Sequence, residues 1–592
     1  MGADHPGTAA PGESAARRGP AFLLRSASEF LRTLPGTRQR FWVLVVATGA
    51  LSGLGAGALF LVLDLVQRIA YPGAATFQAQ VEAATPLRRV LAPLAAGVLV
   101  SVAAILSRQR VAGHGTAGII ESIWHRGGVL SLGRALLRGL LAIVAVGAGA
   151  SLGREGALVQ TGAASGSWLA QRLRVPDRQA RVLVACGAAS GIAAAYDVPI
   201  GGALFGLEVL LGSFALELLG PIVVSSVIAV TVARTLPVPH LAYHVPHYEL
   251  LRPGEILLGL ALAPVFALAS VLFIRVLARL EALLERVPRR LAPLLPPLAM
   301  LAVGVASIRW PQLPGNGFDT VHSALLGQIP LALLLALPFL KIAATSLCSA
   351  SGVPGGLFTP TLFMGATLGG AVGALFSSIW PGLVPGGALA LIGMAGLLAG
   401  TTHAVFSSVV IIFEMTGEYG VILPLMLSAA IAASVSRKLE PDSLYTAPLR
   451  RRGASLPDLP RPAWLRTTRV AALVSDAAER VAPTLPFDQV IRKLLSLPAG
   501  HDLYVTAEDG ELLGVIRLDA LKGTISDRSH LGMIVAADVV DRKVHPITAA
   551  MTLREVAHLF QEGEQERLPV VDERRRLVGT VSMRDVLALG RF

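Results

Sequence analysis

The sequence predicts a polytopic α-helical membrane protein followed by a soluble α/β domain. Of its 592 residues, 53% are hydrophobic and only 15% are charged, and the mean hydropathy is +0.63. The apolar residues form blocks of membrane-spanning size. From about Pro457 onward, short β-branched runs turn into helices that are joined by charged loops, as in an α/β domain.

The first 40 residues are rich in arginine and contain no apolar run with a cleavage site behind it. Positive charge before a first span favours the cytoplasmic side, so residues 1–40 are expected to be a cytoplasmic tail, with the C-terminal region on the same side. The net charge of +12 is spread over short loops, which argues against nucleic acid as a partner. Cys186 and Cys348 lie in apolar segments, so neither a disulfide framework nor a metal site is expected.

An internal repeat organises the membrane part, residues 41–445, into halves of about 41–235 and 250–445. Many of its hydrophobic runs are too short or too interrupted by glycine to be clean spans of roughly 20 residues, which predicts broken helices. The matched pairs, at offsets of 203 and then 206 residues, are Gly153 with Gly356, Gly162 with Gly365, Ala163 with Ala366, Gly187 with Gly393, Ala189 with Ala395, Ala193 with Ala399 and Glu208 with Glu414. Such repeats indicate a transporter with a central site where the halves meet.

The stretch "GREG", Gly153 to Gly156, is the strongest candidate for that site. A helix that begins inside the membrane presents unpaired N–H groups and a partial positive charge, and glycine allows a ligand to approach them. The result is an anion site in which the Glu155 carboxylate can take the place of a free anion and act as a gate. Alternatively, Arg154 and Glu155 form an ordinary capping pair at an interfacial turn; the repeat favours the gate.

From about residue 41 onward, the chain resembles the CLC family of chloride channels and proton-coupled chloride antiporters. "GREGA" is similar to the family's G-K/R-E-G-P segment, "GLFTP" (356–360) to G-x-F-x-P, and 405–426 to the segment ending in E-M-T. "SLYTAPL" places Tyr445 at the family's central tyrosine. The resemblance implies an inverted repeat with broken helices, a homodimer with one pore per subunit, and Glu155 as the gate. It implies an anion site that includes Gly153, Arg154, Gly156, Gly356, Leu357, Phe358 and Tyr445.

The first filter segment departs from the family pattern. Where the family has G-S-G-I-P, this chain has "GHGTA", residues 113–117, which places Gly113, His114 and Gly115 in the implied anion site. His114 replaces the serine whose hydroxyl helps to hold the anion. It either donates an N–H to the anion, adding pH dependence when charged, or turns away and leaves the site to backbone amides. Ala157 replaces the proline of the second segment.

The position that couples proton transport in the family is also altered. "LFGLEVLLG" aligns so that Val209 stands where proton-coupled members carry an inward-facing glutamate, and valine cannot relay a proton. This favours passive conduction. Glu208, one residue earlier, is expected to be a buried structural carboxylate bonded to backbone donors rather than a proton carrier, and its counterpart Glu414 has the same interpretation.

The C-terminal part resembles a pair of CBS domains, at 469–530 and 536–592, behind a proline- and arginine-rich linker at 446–468. In the second module, Ser582 and Asp585 have the spacing that in nucleotide-binding CBS modules places a hydroxyl near phosphate and a carboxylate on ribose. In the first module, Arg517 and Ala520 occupy these positions. The pair therefore either binds an adenine nucleotide at one site or is purely structural or dimerising.

The function predicted from these observations is a passive, voltage- or pH-gated chloride channel of the cell membrane, gated by Glu155 and regulated through the CBS pair. The alternative is a proton-coupled chloride antiporter. A CBS-regulated cation transporter is more distant, because it would need acidic residues converging in the membrane. An enzyme is not expected, since the sequence has no nucleophile constellation, metal-ligand spacing or Walker-type loop. No cofactor is expected to be required.

Overall fold

The computed structural model places most of the chain. The described residues are 37–107, 115–237, 243, 245–248, 253–379, 386–453, 468–475, 478–498, 501–518, 521, 534–542, 544–562 and 567–588. Most of the predicted tail, Gly113 and His114 of the first filter segment, and residues 454–467 of the predicted linker lie outside them. The chain divides into two compact units, Met1–Leu456 and Pro457–Phe592.

The membrane unit consists of helices arranged in two related halves. In the first half, the bounds are α1 Thr37–Ala70, α2 Phe77–Ala83, α3 Pro86–Leu106, α4 Gly115–His125, α5 Leu132–Gly147, α6 Glu155–Arg172, α7 Asp177–Tyr196, α8 Pro199–Phe205 with a π-helical turn Gly206–Leu211, and α9 Leu216–Arg234. In the second half, they are α10 Pro253–Leu284, α11 Leu295–Arg309 after a 3-10 turn Ala292–Leu294, α12 Phe318–Leu325, α13 Leu331–Ser351, α14 Phe358–Ile379, α15 Gly386–Thr402, α16 Val405–Thr416 and α17 Ile422–Leu439. A short helix, α18 Ala447–Arg451, follows.

Eight helices in the described part of the chain are long and apolar enough to cross a membrane. They are Gln39–Ala70, Pro86–Leu106, Leu216–Arg234, Gly259–Leu284, Ala292–Arg309, Leu331–Ser351, Phe358–Ile379 and Ile422–Leu439. Three apolar helices are too short for a full span: Pro199–Leu211, Gly386–Thr402 and Val405–Thr416. The prediction of a polytopic helical membrane protein with broken helices is confirmed.

The glycines that the repeat brings into correspondence are contact points between helices. A Cβ built on Gly162 of α6 would overlap the carbonyl oxygen of Gly187 of α7, and the reverse also holds. In the second half, Gly365 of α14 and Gly393 of α15 have the same relation. Because glycine lets two helix backbones approach closely in a membrane, these repeat-related glycines bring the central helices of each half into backbone contact.

The C-terminal unit contains two small sheets of the same topology. Their strands are β1 Glu479–Val481, β2 Leu503–Thr506, β3 Leu512–Ile516, β4 Ile547–Thr548, β5 Arg567–Val571 and β6 Leu577–Ser582, with helices α19 Phe487–Ser496, α20 Ala536–Val539, α21 Leu553–Glu562 and α22 Met583–Ala588. In each sheet the first strand pairs in parallel with the second, and the second antiparallel with the third. A small apolar cluster that includes Tyr504 and Leu577 joins the sheets. The predicted α/β module pair is confirmed, whereas its internal boundaries stay predictions.

We expect Gly393→Ala to destabilise the membrane unit, because its methyl group would meet the backbone of Gly365. Overpacking of this kind costs about 1–3 kcal/mol. The measurement is the Tm of the purified protein in detergent. Gly118→Ala in α4 is the matched control, since a Cβ there has nothing within 4 Å. An equal change in Tm for both variants would contradict the glycine contact.

Candidate functional site

Two repeat-related glycines join the halves of the membrane unit. The N–H of Gly153 donates to the carbonyl oxygen of Gly356 at 2.8 Å, and the N–H of Gly356 donates to the carbonyl oxygen of Gly153 at 2.7 Å, as an isolated antiparallel bridge. A Cβ on either glycine would overlap the carboxylate of Glu155. Both positions therefore require glycine, because the carboxylate lies directly against their backbone.

The Glu155 carboxylate is buried among four hydrogen-bond donors, three from the second half and one from the first. Its Oε1 accepts from the N–H groups of Phe358 at 2.7 Å and Thr359 at 3.2 Å. Its Oε2 accepts from the Thr359 hydroxyl at 2.9 Å and the Tyr196 hydroxyl at 3.2 Å. Glu155 itself is 3% exposed. A side chain from the start of α6 thus occupies the N-terminus of α14, where the first amides of a helix have no partner within the helix. We call this group, Glu155 with Tyr196, Phe358 and Thr359, the Glu155 site.

Tyr196 and Thr359 were not assigned a role from the sequence. Their hydroxyl oxygens are also 2.6 Å apart. Each hydroxyl has one proton, so only two of the three contacts among Tyr196, Thr359 and the Glu155 Oε2 carry a hydrogen bond at a time. The ring of Tyr196 packs on Phe358 at a centroid distance of 5.2 Å. Thr359 lies within "GLFTP", and its hydroxyl next to the expected helix start could have indicated from the sequence that it belongs to the site. The sequence indicates Tyr196 more weakly, as a single polar aromatic residue that ends the alanine-rich helix α7.

Arg154 does not pair with Glu155 as a capping partner. Its guanidinium lies 4.6 Å above the ring of Phe60 and donates a long hydrogen bond of 3.4 Å to the carbonyl oxygen of Ala195. Among the described residues, the buried Nε of Arg154 has no partner. Because the Glu155 side chain reaches the other half instead of its own helix start, the interpretation as an ordinary capping pair is wrong.

The remaining predicted anion-site residues differ in how closely the structure connects them with the Glu155 site. A Cβ on Gly156 would be 2.9 Å from the backbone of Gly355, and a Cβ on Gly115 would be 3.5 Å from the carbonyl oxygen of Gly156. Leu357 is buried. Tyr445 is also buried, and its ring meets Phe205 edge to face at 6.1 Å. Gly113 and His114 are outside the described residues, so the role of His114 stays a prediction.

Glu208 and Glu414 form a reciprocal pair across the two halves. The Glu208 carboxylate accepts from the N–H groups of Phe406 at 3.2 Å and Ser407 at 2.8 Å, and from the Ser407 hydroxyl at 2.6 Å. The Glu414 carboxylate accepts from the N–H groups of Ile200 at 3.1 Å and Gly201 at 2.6 Å. Each glutamate therefore caps a short helix of the other half.

These bonds agree with the structural interpretation of both carboxylates, although the side chains are half-buried rather than fully buried. Val209 lies beside Glu208 on the π-helical turn and is itself partly buried.

In the C-terminal unit, Ser582 and Asp585 bind each other. The Ser582 hydroxyl donates to the Asp585 carboxylate at 2.6 Å and accepts from the Asp585 N–H at 3.0 Å, which caps the start of α22. In the first module, Arg517 lies 3.6 Å from the Asp541 carboxylate, and Ala520 is outside the described residues. A nucleotide at the second module would have to compete with the Ser582 cap.

Two related halves whose broken helices begin at one buried, glycine-lined site define a membrane transport protein of the inverted-repeat class. The family model "Voltage gated chloride channel" matches residues 96–437, and a CBS domain model matches residues 535–590, which is the second module. The chain belongs to the CLC family of chloride transport proteins, and it is a multi-pass membrane protein.

Relatives and solved structures agree with this assignment. The voltage-gated ClC-type chloride channel ClcB of Escherichia coli is 36% identical over 376 residues, which is 61% of this chain and 87% of the relative. ClcB of Citrobacter koseri is 34% identical over 375 residues, with the same coverage of 61% and 87%.

A slow cyanobacterial Cl−/H+ antiporter has a similar fold, with a TM-score of 0.64 at 22% identity, over 70% of this chain and 98% of that chain. A eukaryotic CLC transporter has a TM-score of 0.61 at 19% identity, over 95% of this chain and 98% of that chain. At these identities the two structures support the fold alone.

We expect Glu208→Gln to destabilise the membrane unit. Both carboxylate oxygens of Glu208 accept hydrogen bonds from Phe406 and Ser407, whereas the side-chain nitrogen of a glutamine cannot accept one. Losing charge-assisted hydrogen bonds of this kind costs about 1.5–3 kcal/mol. Glu414→Gln should act in the same direction, and the double variant should lose less than the sum if the two caps support one interface. Tm values of the three proteins test this. Unchanged Tm in both single variants would contradict the reciprocal caps.

Proposed function

We propose that this chain conducts chloride passively through its membrane unit and that Glu155 is the gate. The observation that carries the proposal is the position of the Glu155 carboxylate, which accepts from two backbone amides and two hydroxyl groups. Donors that bind a carboxylate oxygen are also the donors that a small anion needs inside a membrane.

Gating follows from competition for these donors. While the carboxylate is in place, an entering anion meets no free N–H at the start of α14. When Glu155 is protonated or displaced by an anion, the amides of Phe358 and Thr359 become available. Opening therefore depends on pH, on chloride concentration and on the voltage that drives the anion inward. Chemically, the gate is a mimic of the transported ion that is tethered to the protein.

Passive conduction is favoured over proton coupling by two neighbouring residues. Val209 has no ionisable group where coupled members of the family carry an acid, and Glu208 is held by three hydrogen bonds in its cap. The alternative is a proton-coupled antiporter. It has one observation in its favour, the hydroxyl pair of Tyr196 and Thr359 against Glu155, which could hand a proton to the carboxylate.

The more distant alternative, a CBS-regulated cation transporter, fits less well because the groups that surround Glu155 are N–H and O–H donors, and a cation needs acceptors. We further propose a homodimer with one pore per subunit, cytoplasmic N- and C-terminal regions, and regulation through the CBS pair. Membership in the CLC family supports these three points.

We expect Glu155→Ala to raise chloride flux and to remove its dependence on pH, because the donors at the start of α14 would then be free at all times. The measurement is simultaneous chloride and proton flux from purified protein in liposomes under an imposed chloride gradient. In the wild type, chloride should move without driving protons against their gradient.

The matched control is Glu217→Ala, which removes an exposed carboxylate of the same unit. If Glu155→Ala has the same chloride flux and the same pH response as Glu217→Ala, Glu155 is not the gate. Stoichiometric proton movement in the wild type would instead support the antiporter.

An adenine nucleotide is the ligand that we propose for the CBS pair, with Ser582 toward phosphate and Asp585 toward ribose. ATP should then raise the Tm of the full-length protein, and Asp585→Ala should remove that increase because it deletes the ribose acceptor. Glu573→Ala, an exposed carboxylate on the same module, should leave it unchanged. If ATP does not raise the Tm of the wild type, the pair is a structural module and Ser582 and Asp585 serve only as a helix cap.

A further inference from the structure

Lys341 is a fully buried basic residue in a helix that is long and apolar enough to span the membrane. Its side chain is 0% exposed, and it lies in the middle of α13, Leu331–Ser351. An ionisable side chain at such a position is costly, so it is retained where it serves the transport pathway or is well compensated. Neither the gate nor the two helix caps described above uses Lys341.

The contacts of the Lys341 amine are those of an ammonium group. Its Nζ donates to the carbonyl oxygens of Leu313 at 3.0 Å and Gly315 at 2.9 Å. It also lies 4.8 Å from the centroid of the Phe363 ring, in a cation–π arrangement. Two carbonyls and one aromatic face take up the three donors of –NH3+. These partners hold the group in place without neutralising it, and Lys341 forms no ion pair with a carboxylate in the described part of the chain.

Lys341 is connected to the Glu155 site through α14, whose Phe363 ring it contacts, and through its own helix α13. Phe363, which carries the ring beside the ammonium, is on α14 five residues after Phe358, or about 7.5 Å along the helix axis at the usual rise. One helical turn after Lys341, the hydroxyl of Thr345 donates to the carbonyl oxygen of Ser151 at 2.9 Å. Ser151 precedes Gly153 by two residues. The same helix therefore supports the first-half loop of the site and places a charge beside its second-half helix.

We propose that Lys341 is a fixed positive charge that strengthens anion binding at the Glu155 site. The inference rests on the proposed anion site. The amides of α14 offer only partial charges, whereas Lys341 adds a full unit of charge beside the same helix, in surroundings that screen it weakly. With its own donors satisfied by carbonyls and a ring, the ammonium does not bind the anion directly. When the Glu155 carboxylate has left the site, a bound anion supplies the negative charge that faces this ammonium.

The test compares chloride binding in variants that change charge and packing separately. Because the same charge stabilises the Glu155 carboxylate, the comparison is made in full-length Glu155→Ala protein, where no carboxylate competes for the site. The variants are Lys341→Met, which removes the charge, Lys341→Arg, which keeps it, and Thr345→Val, which removes the neighbouring bond to Ser151 without changing charge. Chloride affinity is measured by titration calorimetry in detergent, and Tm reports folding.

We expect Lys341→Met to weaken chloride binding roughly tenfold, which is the order of effect calculated for two unit charges about 10 Å apart at an effective dielectric constant of about 20. In the Lys341→Arg and Thr345→Val variants, chloride affinity should stay within about threefold of that of the Glu155→Ala parent, because both variants keep the charge. If Lys341→Met does not fold, Lys341→Gln replaces it, since a neutral amide can still donate to the Leu313 and Gly315 carbonyls.

Chloride affinity in Lys341→Met equal to that of the parent overturns the proposal. Equal weakening in Lys341→Met, Lys341→Arg and Thr345→Val also overturns it, because the effect would then come from packing. Absence of chloride binding in the Glu155→Ala parent would refute the anion site itself, so the two failures are distinguishable.

Discussion

Backbone N–H groups at the starts of helices inside the membrane are the constraint on which the rest of this structure depends. Such groups have no partner within the helix and no water to bind, so each must be satisfied by another part of the protein. Here three glutamates do so: Glu155 at the start of α14, Glu208 at the start of α16 and Glu414 at the start of α8. In every case the carboxylate belongs to the opposite half of the membrane unit, so satisfying the helix starts also joins the halves.

Glu155 differs from the other two glutamates in its symmetry, and this difference supports the proposal that Glu155 is a gate while the other two are structural. Glu208 and Glu414 are repeat-related and cap each other's short helices, which is a symmetric arrangement suited to permanent structure. Glu155 has no such counterpart, because at the offset of 203 residues the second half carries Phe358, whose amide donates to Glu155. This departure from symmetry leaves one carboxylate without a reciprocal partner, which is the carboxylate that we propose an anion replaces.

The surroundings of the Glu155 site combine tight packing with an excess of donors. Glycine at 153 and 356 lets the carboxylate lie against the backbone, and the hydroxyls of Tyr196 and Thr359 add to the amides. Lys341 lies beside the Phe363 ring of α14, and its Nζ donates to two backbone carbonyls. Four donors meet the Glu155 carboxylate, which is the observation on which the proposed anion site rests.

The sequence by itself determined the two-part architecture and the repeat with its matched glycines, and it singled out "GREG" and "GLFTP" as candidate site segments, because composition, spacing and motifs can be found without knowing which residues meet in space. The partners of the key side chains were decided by tertiary structure. Glu155 and Thr359 are 204 residues apart, Tyr196 ends a different helix, and Lys341 stands in an apolar helix whose pattern is unremarkable. The periodicity of a sequence does not predict such contacts. The carboxylate, the hydroxyl and the helix start come together only when the two halves pack, because the unpaired N–H groups then need an acceptor from the other half.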